Sequence, residues 1–107
     1  MKPKIYTMSP AVGKVIEPVV RDENAHIMHM VLPMGEGLPV HDTNANVYMA
    51  ILSGTLRIAL DGAEQTYPAG TLLNIPMGVT MHARNEAERM LELLVIKAPA
   101  PTKQGGQ

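Results

Sequence analysis

The sequence predicts an all-β domain, either a sandwich or a barrel, built from short antiparallel strands. Glycine and proline interrupt the chain frequently, and the apolar segments between them have the length of strands and not of helices. Asp61-Gly62 lies between two such segments and is among the strongest sequence signals for a β-hairpin. Strands repeated every 8–12 residues or so are typical of sandwiches and barrels.

Six segments are expected to form strands, and they follow one another through most of the chain. The last of them also fits a helical stripe of apolar residues, but we predict a strand because its neighbours are strands. The expected strands are 26–32 (HIMHMVL), 47–52 (VYMAIL), 55–60 (TLRIAL), 64–67 (EQTY), 71–75 (TLLNI) and 89–96 (RMLELLVI).

Length and composition indicate a single globular domain. The 107 residues are enough for one hydrophobic core, and the hydrophobic fraction of 46% and charged fraction of 18% are ordinary for a soluble protein. We expect the domain to cover 1–98, with its motifs in 25–98. The tail at 99–107 (PAPTKQGGQ) has little to bury and is expected to be flexible.

Several classes of function are excluded or disfavoured by composition. The chain has no cysteine, so disulfides, thiolate nucleophiles and cysteine-bound metals are excluded. The nine Lys and Arg residues are scattered and the formal net charge is −1, so a nucleic-acid partner is not expected. No apolar run approaches the roughly 18 residues of a membrane span, so no membrane association is expected and the cytoplasm is the default location.

Two glycine-led segments carry the most specific pattern, at 35–54 (GEGLPVHDTNANVYMAILSG) and 70–85 (GTLLNIPMGVTMHARN). Their spacing resembles that of the small single-domain cupins of the cupin 2-type conserved barrel. In the first segment the match comprises Gly35, His41 and Gly54, with Thr43 and Val47 at two positions where the family has His and Glu. In the second segment it comprises Gly70, Pro76, Gly78 and Asn85, with Met81 where the family has His.

The resemblance implies a jelly-roll β-barrel of two packed antiparallel sheets with a central pocket, and a homodimer. It also implies a metal site of three His and one Glu, of which this chain keeps His41. Threonine is a poor ligand and valine is none, so we expect no metal cofactor of the family's kind. His82 lies one residue beyond the third His position. Because side chains alternate along a strand, we expect His82 to face away from the pocket, unless a one-residue bulge before it places it on the inner face.

The parity of strand residues predicts the pocket lining. Residues 41, 43 and 47 share one face of a continuous strand, and Met49 and Ile51 follow on the same face. The expected ligand-binding residues are His41, Thr43, Val47, Met49, Ile51, Met81 and Asn85. His41 is the candidate catalytic residue, as a general base. The alternative is a buried neutral imidazole that makes one hydrogen bond in an apolar pocket.

We therefore expect a cupin that binds a small molecule without a transition metal, with catalysis left open. A metal-free isomerase or lyase would use His41 as its base. The alternative is a metal-dependent cupin enzyme, a dioxygenase or isomerase, that holds one divalent transition metal or Cu(I) through His41, Met81 and His82. A third hypothesis is a structural dimer with a vestigial pocket.

Three further polar residues are assigned to no site. In 26–30 (HIMHM), alternation places His26 and His29 on opposite faces, which predicts a strand with mixed faces and not a compact metal site. Glu92 interrupts an apolar strand, and we expect its carboxylate to face solvent or a dimer partner.

Overall fold

A computed structural model describes residues 1–101 of the protein, and within them it contains nine β-strands and no α-helix. The strands are β1 (Val15–Arg21), β2 (His26–Pro33), β3 (His41–Asp42), β4 (Val47–Ser53), β5 (Thr55–Leu60), β6 (Ala63–Pro68), β7 (Leu72–Ile75), β8 (Thr80–Arg84) and β9 (Met90–Lys97). Of the tail expected at 99–107, residues 102–107 lie outside the described part. None of the described residues forms a helix of the length and hydrophobicity required to cross a membrane.

The strands form two antiparallel sheets that enclose one core. The five-stranded sheet has the order β1-β2-β9-β4-β7 and the four-stranded sheet has the order β3-β8-β5-β6. Aliphatic side chains and methionines from both sheets fill the space between them, among them Leu32, Met49, Leu56, Ile58 and Leu93, none of which is exposed. The prediction of an all-β fold of two packed antiparallel sheets is confirmed.

Each of the six predicted segments corresponds to an observed strand. The predicted and observed bounds never differ by more than one residue at either end. The last segment is strand β9, so its helical alternative is excluded. The Asp61-Gly62 hairpin joins β5 to β6, and both turn residues have positive φ, 50° and 85°. This is the conformation of a two-residue type I′ turn, for which the Asp-Gly pair is favoured.

Strand β1 was not predicted, because Glu17 and Pro18 break its apolar pattern. Proline cannot donate a ladder hydrogen bond and is confined to sheet edges and bulges. Both conditions hold here, since β1 is an edge strand and its pairing with β2 shifts register between Pro18 and Val20. An edge strand with a bulge tolerates proline, but the proline interrupts the apolar alternation by which a strand is predicted. The sequence signal of β1 is therefore weak.

Candidate functional site

A cavity of about 300 Å³ opens between the two sheets at one end of the barrel. Most of its wall is apolar, and four of its ten lining residues belong to the predicted set. The lining comprises Arg21, Met28, Met30, Leu38, His41, Thr43, Val47, Met81, Val95 and Lys97. An apolar cleft of this size with a few polar groups is the usual form of a small-ligand site, for which volumes of about 300–1,000 Å³ are typical.

His41 lies directly opposite Met81 in the pairing of β3 with β8. Its side chain is exposed at the cavity mouth, because β3 is a two-residue edge strand. The alternative of a buried imidazole is therefore wrong. The Nδ1 atom of His41 lies 3.0 Å from the carbonyl oxygen of Pro39. A carbonyl oxygen only accepts, so Nδ1 carries the hydrogen and Nε2 of the neutral ring keeps a free lone pair.

Thr43 is buried, and its hydroxyl is bonded to the loop between β7 and β8. The hydroxyl donates to the carbonyl oxygen of Pro76 at 2.7 Å and accepts from the backbone N–H of Val79 at 3.1 Å. Because a hydroxyl has one hydrogen, Thr43 cannot donate to a ligand in this arrangement, although one lone pair remains. The residue therefore fixes the cavity wall and offers a ligand at most one acceptor.

Three residues expected in the lining lie elsewhere. Met49 and Ile51 face the interior as their parity predicts, but they are 0% and 2% exposed in the packed core, two and four residue pairs further along β4 than Val47. Asn85 follows the end of β8 and is fully buried in a turn. The row of Met49 also contains Val95, which does line the cavity, so the cavity reaches this row at β9 and not at β4. Parity predicts the face of a strand residue and not which part of that face the cavity reaches.

The side chain of Asn85 holds the β8–β9 turn together. Its Nδ2 atom donates to the carbonyl oxygens of Leu32 and Glu88, each at 2.8 Å, and its Oδ1 atom accepts from the N–H of Glu88 at 3.0 Å. All of its polar groups face backbone atoms, so none is directed into the cavity. This motif position stabilises the fold, and its side chain does not line the cavity.

His82 lies on the other face of β8 from Met81. Met81 is buried and lines the cavity, whereas His82 pairs with Ala59 and its Nδ1 atom lies 3.4 Å from Nη1 of Arg84. The pairing of β8 with β5 is continuous from Arg84 to Met81, without a bulge that would turn the imidazole inward. A metal site that combines His41, Met81 and His82 is therefore not assembled.

Sequence reasoning missed the two cations of the cavity, Arg21 and Lys97. They lie in one row across the five-stranded sheet, where Arg21 pairs with His26, His26 with Lys97 and Lys97 with Val47. Burial, and then the like charge of Arg21, lower the pKa of Lys97 below its ordinary 10.5. The signal in the sequence was the parity of Lys97 with the buried residues of β9.

A second polar cluster, on the outer face of the same sheet, was also missed. The ring of His29 is completely buried, with Nδ1 2.7 Å from Glu17 and Nε2 2.7 Å from Glu92. Glu92 therefore binds His29, which corrects the expectation that it faces solvent or a partner subunit. Ser9 bonds Glu17 through its N–H at 2.8 Å and its hydroxyl at 2.7 Å, so the N-terminal segment is attached to the cluster.

The donor set of the cavity does not fit the three-His, one-Glu metal site implied by the resemblance. His41 supplies one imidazole, while Thr43, Val47 and Met81 supply a committed hydroxyl, a hydrocarbon and a thioether. Within residues 1–101, no three His, Cys, Asp or Glu side chains are grouped as a metal site would require. No step of the proposed function is therefore assigned to a metal of that kind.

Comparison with known proteins agrees with this architecture. The chain is 36% identical, over 102 residues, to an uncharacterized protein of Methanocaldococcus jannaschii, a match that covers 94% of this chain and 88% of the relative. It superposes with a TM-score of 0.90 and 35% identity on the crystal structure of an RmlC-like cupin family protein with a double-stranded β-helix fold from the same organism, over 94% of both chains. The chain belongs to the cupin family.

More distant cupins share the fold. A cupin superfamily protein of Desulfitobacterium hafniense superposes with a TM-score of 0.73 at 13% identity, covering 86% of this chain and 83% of that one. At such identity the likeness concerns the barrel alone. No family model matches the sequence. Membership of the cupin family establishes the fold. Because this fold supports many activities, the function has to be inferred from the chemistry of the cavity.

Proposed function

We propose that this cupin binds a small, mainly apolar molecule in the cavity beside His41 and Met81, without a transition metal. The observation that carries the proposal is the convergence of both sheets on one apolar cavity whose rim is polar. Met28, Met30 and Met81 form much of the wall. Methionine side chains are flexible and polarisable, so such a wall adapts to ligands of different shape.

His41 is the group through which such a site would move a proton. Its Nδ1–H is held by the carbonyl oxygen of Pro39, which leaves the Nε2 lone pair of the neutral ring as the acceptor. If the protein is an enzyme, the role of His41 is therefore that of a general base in a metal-free isomerisation or elimination. His41→Gln would abolish that turnover while the folded barrel still binds its ligand.

A second candidate function is supported by the pairing of His41 with Met81. An imidazole and a thioether are a ligand pair that suits Cu(I), and Met28 and Met30 line the same cavity. A copper-dependent cupin enzyme with this altered ligand set is the alternative to the metal-free binder. Elemental analysis of untagged protein, followed by competition with a Cu(I) chelator, distinguishes the two. Stoichiometric Cu, Fe, Mn, Ni or Zn would overturn the metal-free proposal.

We propose in addition that the partner of this protein is a second copy of itself. The support is an apolar area on the outer face of β4 and β7, where Tyr48, Leu52 and Leu72 are 37%, 42% and 63% exposed. Exposed apolar areas of this kind mark interaction surfaces. Its central positions carry no charge, so a second copy related by a two-fold axis would bury the same apolar residues on both subunits without burying a charge.

The direct test of the binding proposal is native mass spectrometry of untagged protein from its own source. The expected result is an organic molecule retained at one per chain and lost on denaturation. Val47→Phe, which places a ring in the cavity, should prevent retention. Leu52→Phe, on the outer face of the same strand, is the matched control and should retain the molecule. A folded Val47→Phe protein that keeps the same bound molecule would contradict the proposed location.

A further inference from the structure

The two cations at the rim of the cavity, Arg21 and Lys97, lack acidic partners. Within residues 1–101, no carboxylate lies within ion-pair distance of either side chain, and no Asp or Glu is among the ten residues that line the cavity. The chain has ten acidic residues against nine Lys and Arg, so acids are not scarce. Arg57 and Arg84, by comparison, both bind Glu64 and Glu86.

The fold brings the two cations together on the cavity side of the five-stranded sheet. Arg21 ends β1 and Lys97 ends β9, and the pairing places both in one row with His26 between them. Strands in a sheet are about 4.8 Å apart, so the backbones of Arg21 and Lys97 are separated by roughly 10 Å, within reach of two long side chains. Two residue pairs further along β2 and β9, on the same face of the sheet, the wall becomes apolar with Met28 and Val95.

The lysine at the cavity rim retains free hydrogen-bonding capacity. Its Nζ atom donates to Oδ1 of Asn44 at 2.8 Å. An ammonium group has three hydrogens, so two remain, and the neutral Asn44 amide compensates none of the charge. Lys97 is partly buried beside a like charge, which lowers its pKa. An anion between the two side chains would remove this repulsion and supply acceptors to both.

We infer that the ligand of this cavity is a small amphipathic carboxylate whose carboxyl group binds between Arg21 and Lys97 and whose apolar body packs against the methionine wall. This inference rests on the proposed function and names its ligand class. The guanidinium group matches a carboxylate with two parallel hydrogen bonds, and the ammonium group adds a third. The volume of about 300 Å³ limits the body to one ring or a short branched chain.

The remaining polar groups of the cavity agree with this ligand class. A carboxylate at the Lys97 rim directs the apolar body toward Met30 and Leu38, and the free Nε2 atom of His41 lies at the mouth. Thr43 and His41 each have a free lone pair. Both residues can therefore accept a hydrogen bond from a hydroxyl or N–H group of the ligand. A carboxylate that also carries one such donor fits the cavity better than a plain hydrocarbon acid.

The test compares matched ligands and matched variants by isothermal titration calorimetry. Benzoate and branched short-chain carboxylates are titrated into the protein beside their primary amides, which keep the shape and lose the charge. We expect the carboxylates to bind at least ten-fold more tightly than the amides, since hydrogen bonds to charged groups exceed neutral ones by about this factor. The preference should weaken as salt is raised.

The variants assign the preference to the two cations. Lys97→Met and Arg21→Met should each lower carboxylate affinity about ten-fold and leave amide affinity unchanged. Lys14→Met is the control, because Lys14 is bound to Glu36 on the surface, and it should change neither affinity. In the wild-type protein, a bound carboxylate should also raise the pKa of Lys97, which NMR of the labelled amine measures.

The possible outcomes separate this inference from the proposed function. If amides bind as tightly as carboxylates, the assignment of an anionic ligand is wrong and the apolar binding site stands. If carboxylate binding survives both Met variants undiminished, the carboxyl group binds elsewhere and the inference is also wrong. If neither series binds, the carboxylate class is rejected, and an empty cavity in the native mass spectrum then rejects the proposed function itself.

Discussion

Nε2 of His29 lies 2.7 Å from a carboxylate oxygen of Glu92, although the imidazole is completely buried. Glu17 lies at the same distance from the other ring nitrogen, so both nitrogens face acceptors and the ring must carry two hydrogens. Burial disfavours the charged ring, but the hydrogen bonds to Glu17 and Glu92 outweigh it and raise the pKa of His29 above its ordinary 6.5.

The first prediction concerns the pH dependence of stability. Because folding raises the pKa of His29, its contribution is fully present below pH 6.5 and is lost as pH rises through the folded value. Each unit of that shift is worth about 1.4 kcal/mol of unfolding free energy. Urea unfolding between pH 6 and pH 9 should show the loss. Glu92→Gln should reduce it, and Glu36→Gln, a change in a surface ion pair, should not.

Glu17 extends the same cluster to low pH. Hydrogen bonds from the backbone N–H of Ser9, the ring of His29 and the hydroxyl of Ser9 lower its pKa from 4.5 to about 2. Its contribution is therefore present above pH 4.5 and is lost as pH falls through about 2. Stability that is constant from pH 4 to pH 9 in the wild-type protein would contradict an ionised cluster.

The second prediction is that Asn85→Ala destabilises the fold without changing the cavity. Removing the amide leaves the buried carbonyl oxygen of Leu32 without its Asn85 hydrogen bond and loosens the turn at Glu88. An unsatisfied buried group costs about 1–3 kcal/mol, which thermal or urea unfolding would detect. The folded fraction should bind ligand with wild-type affinity. A variant of unchanged stability but impaired binding would restore Asn85 to the site.

The third prediction separates two costs at motif glycines. Gly54 and Gly35 both have φ of 84°, which costs a residue with a side chain about 1–2 kcal/mol. A Cβ atom at Gly35 meets open space, whereas at Gly54 it would collide with the carbonyl oxygen of Met90. Gly54→Ala should therefore cost about 1–3 kcal/mol more than Gly35→Ala in urea unfolding. Equal costs for the two variants would contradict this prediction. They would show that the backbone at Met90 moves away from the added methyl group at little cost.

The fourth prediction tests the proposed partner. Light scattering of the purified 11.6 kDa chain should give twice that mass. Tyr48→Lys introduces a charge into the exposed apolar area on β4 and β7 and should shift the protein to monomer. Thr66→Lys, on the exposed edge strand β6, is the matched control and should remain dimeric. A monomeric wild-type protein at high concentration would reject self-association.

The parts of the fold that could be predicted depend on local rules. All four motif glycines that lead or close turns, Gly35, Gly54, Gly70 and Gly78, have positive φ, as the tight corners of a barrel demand. Alternation along β4 and β8 gives the correct face for Val47 and Met81. These properties depend only on the conformation of a few consecutive residues, and local sequence is sufficient to predict it.

The missed features depend on which strands become neighbours. Arg21 and Lys97 meet because β2 lies between β1 and β9, an order that no local pattern specifies. His29 meets Glu92 across 63 positions and Glu17 on a strand whose signal was hidden by a proline at a bulge. Parity gives the face of Met49 and Ile51 correctly, but which part of that face the cavity reaches depends on the packing of the whole barrel.

The most direct test of the central claim is NMR of protein labelled at the methionine methyl groups. Met28, Met30 and Met81 line the cavity, while Met34 and Met77 are 57% and 68% exposed elsewhere and act as internal controls. A short apolar carboxylate is added stepwise. We predict that the first three resonances shift together and saturate while the control resonances stay unchanged. Saturating shifts at Met34 or Met77 with none at the cavity methionines would contradict a ligand site between the two sheets.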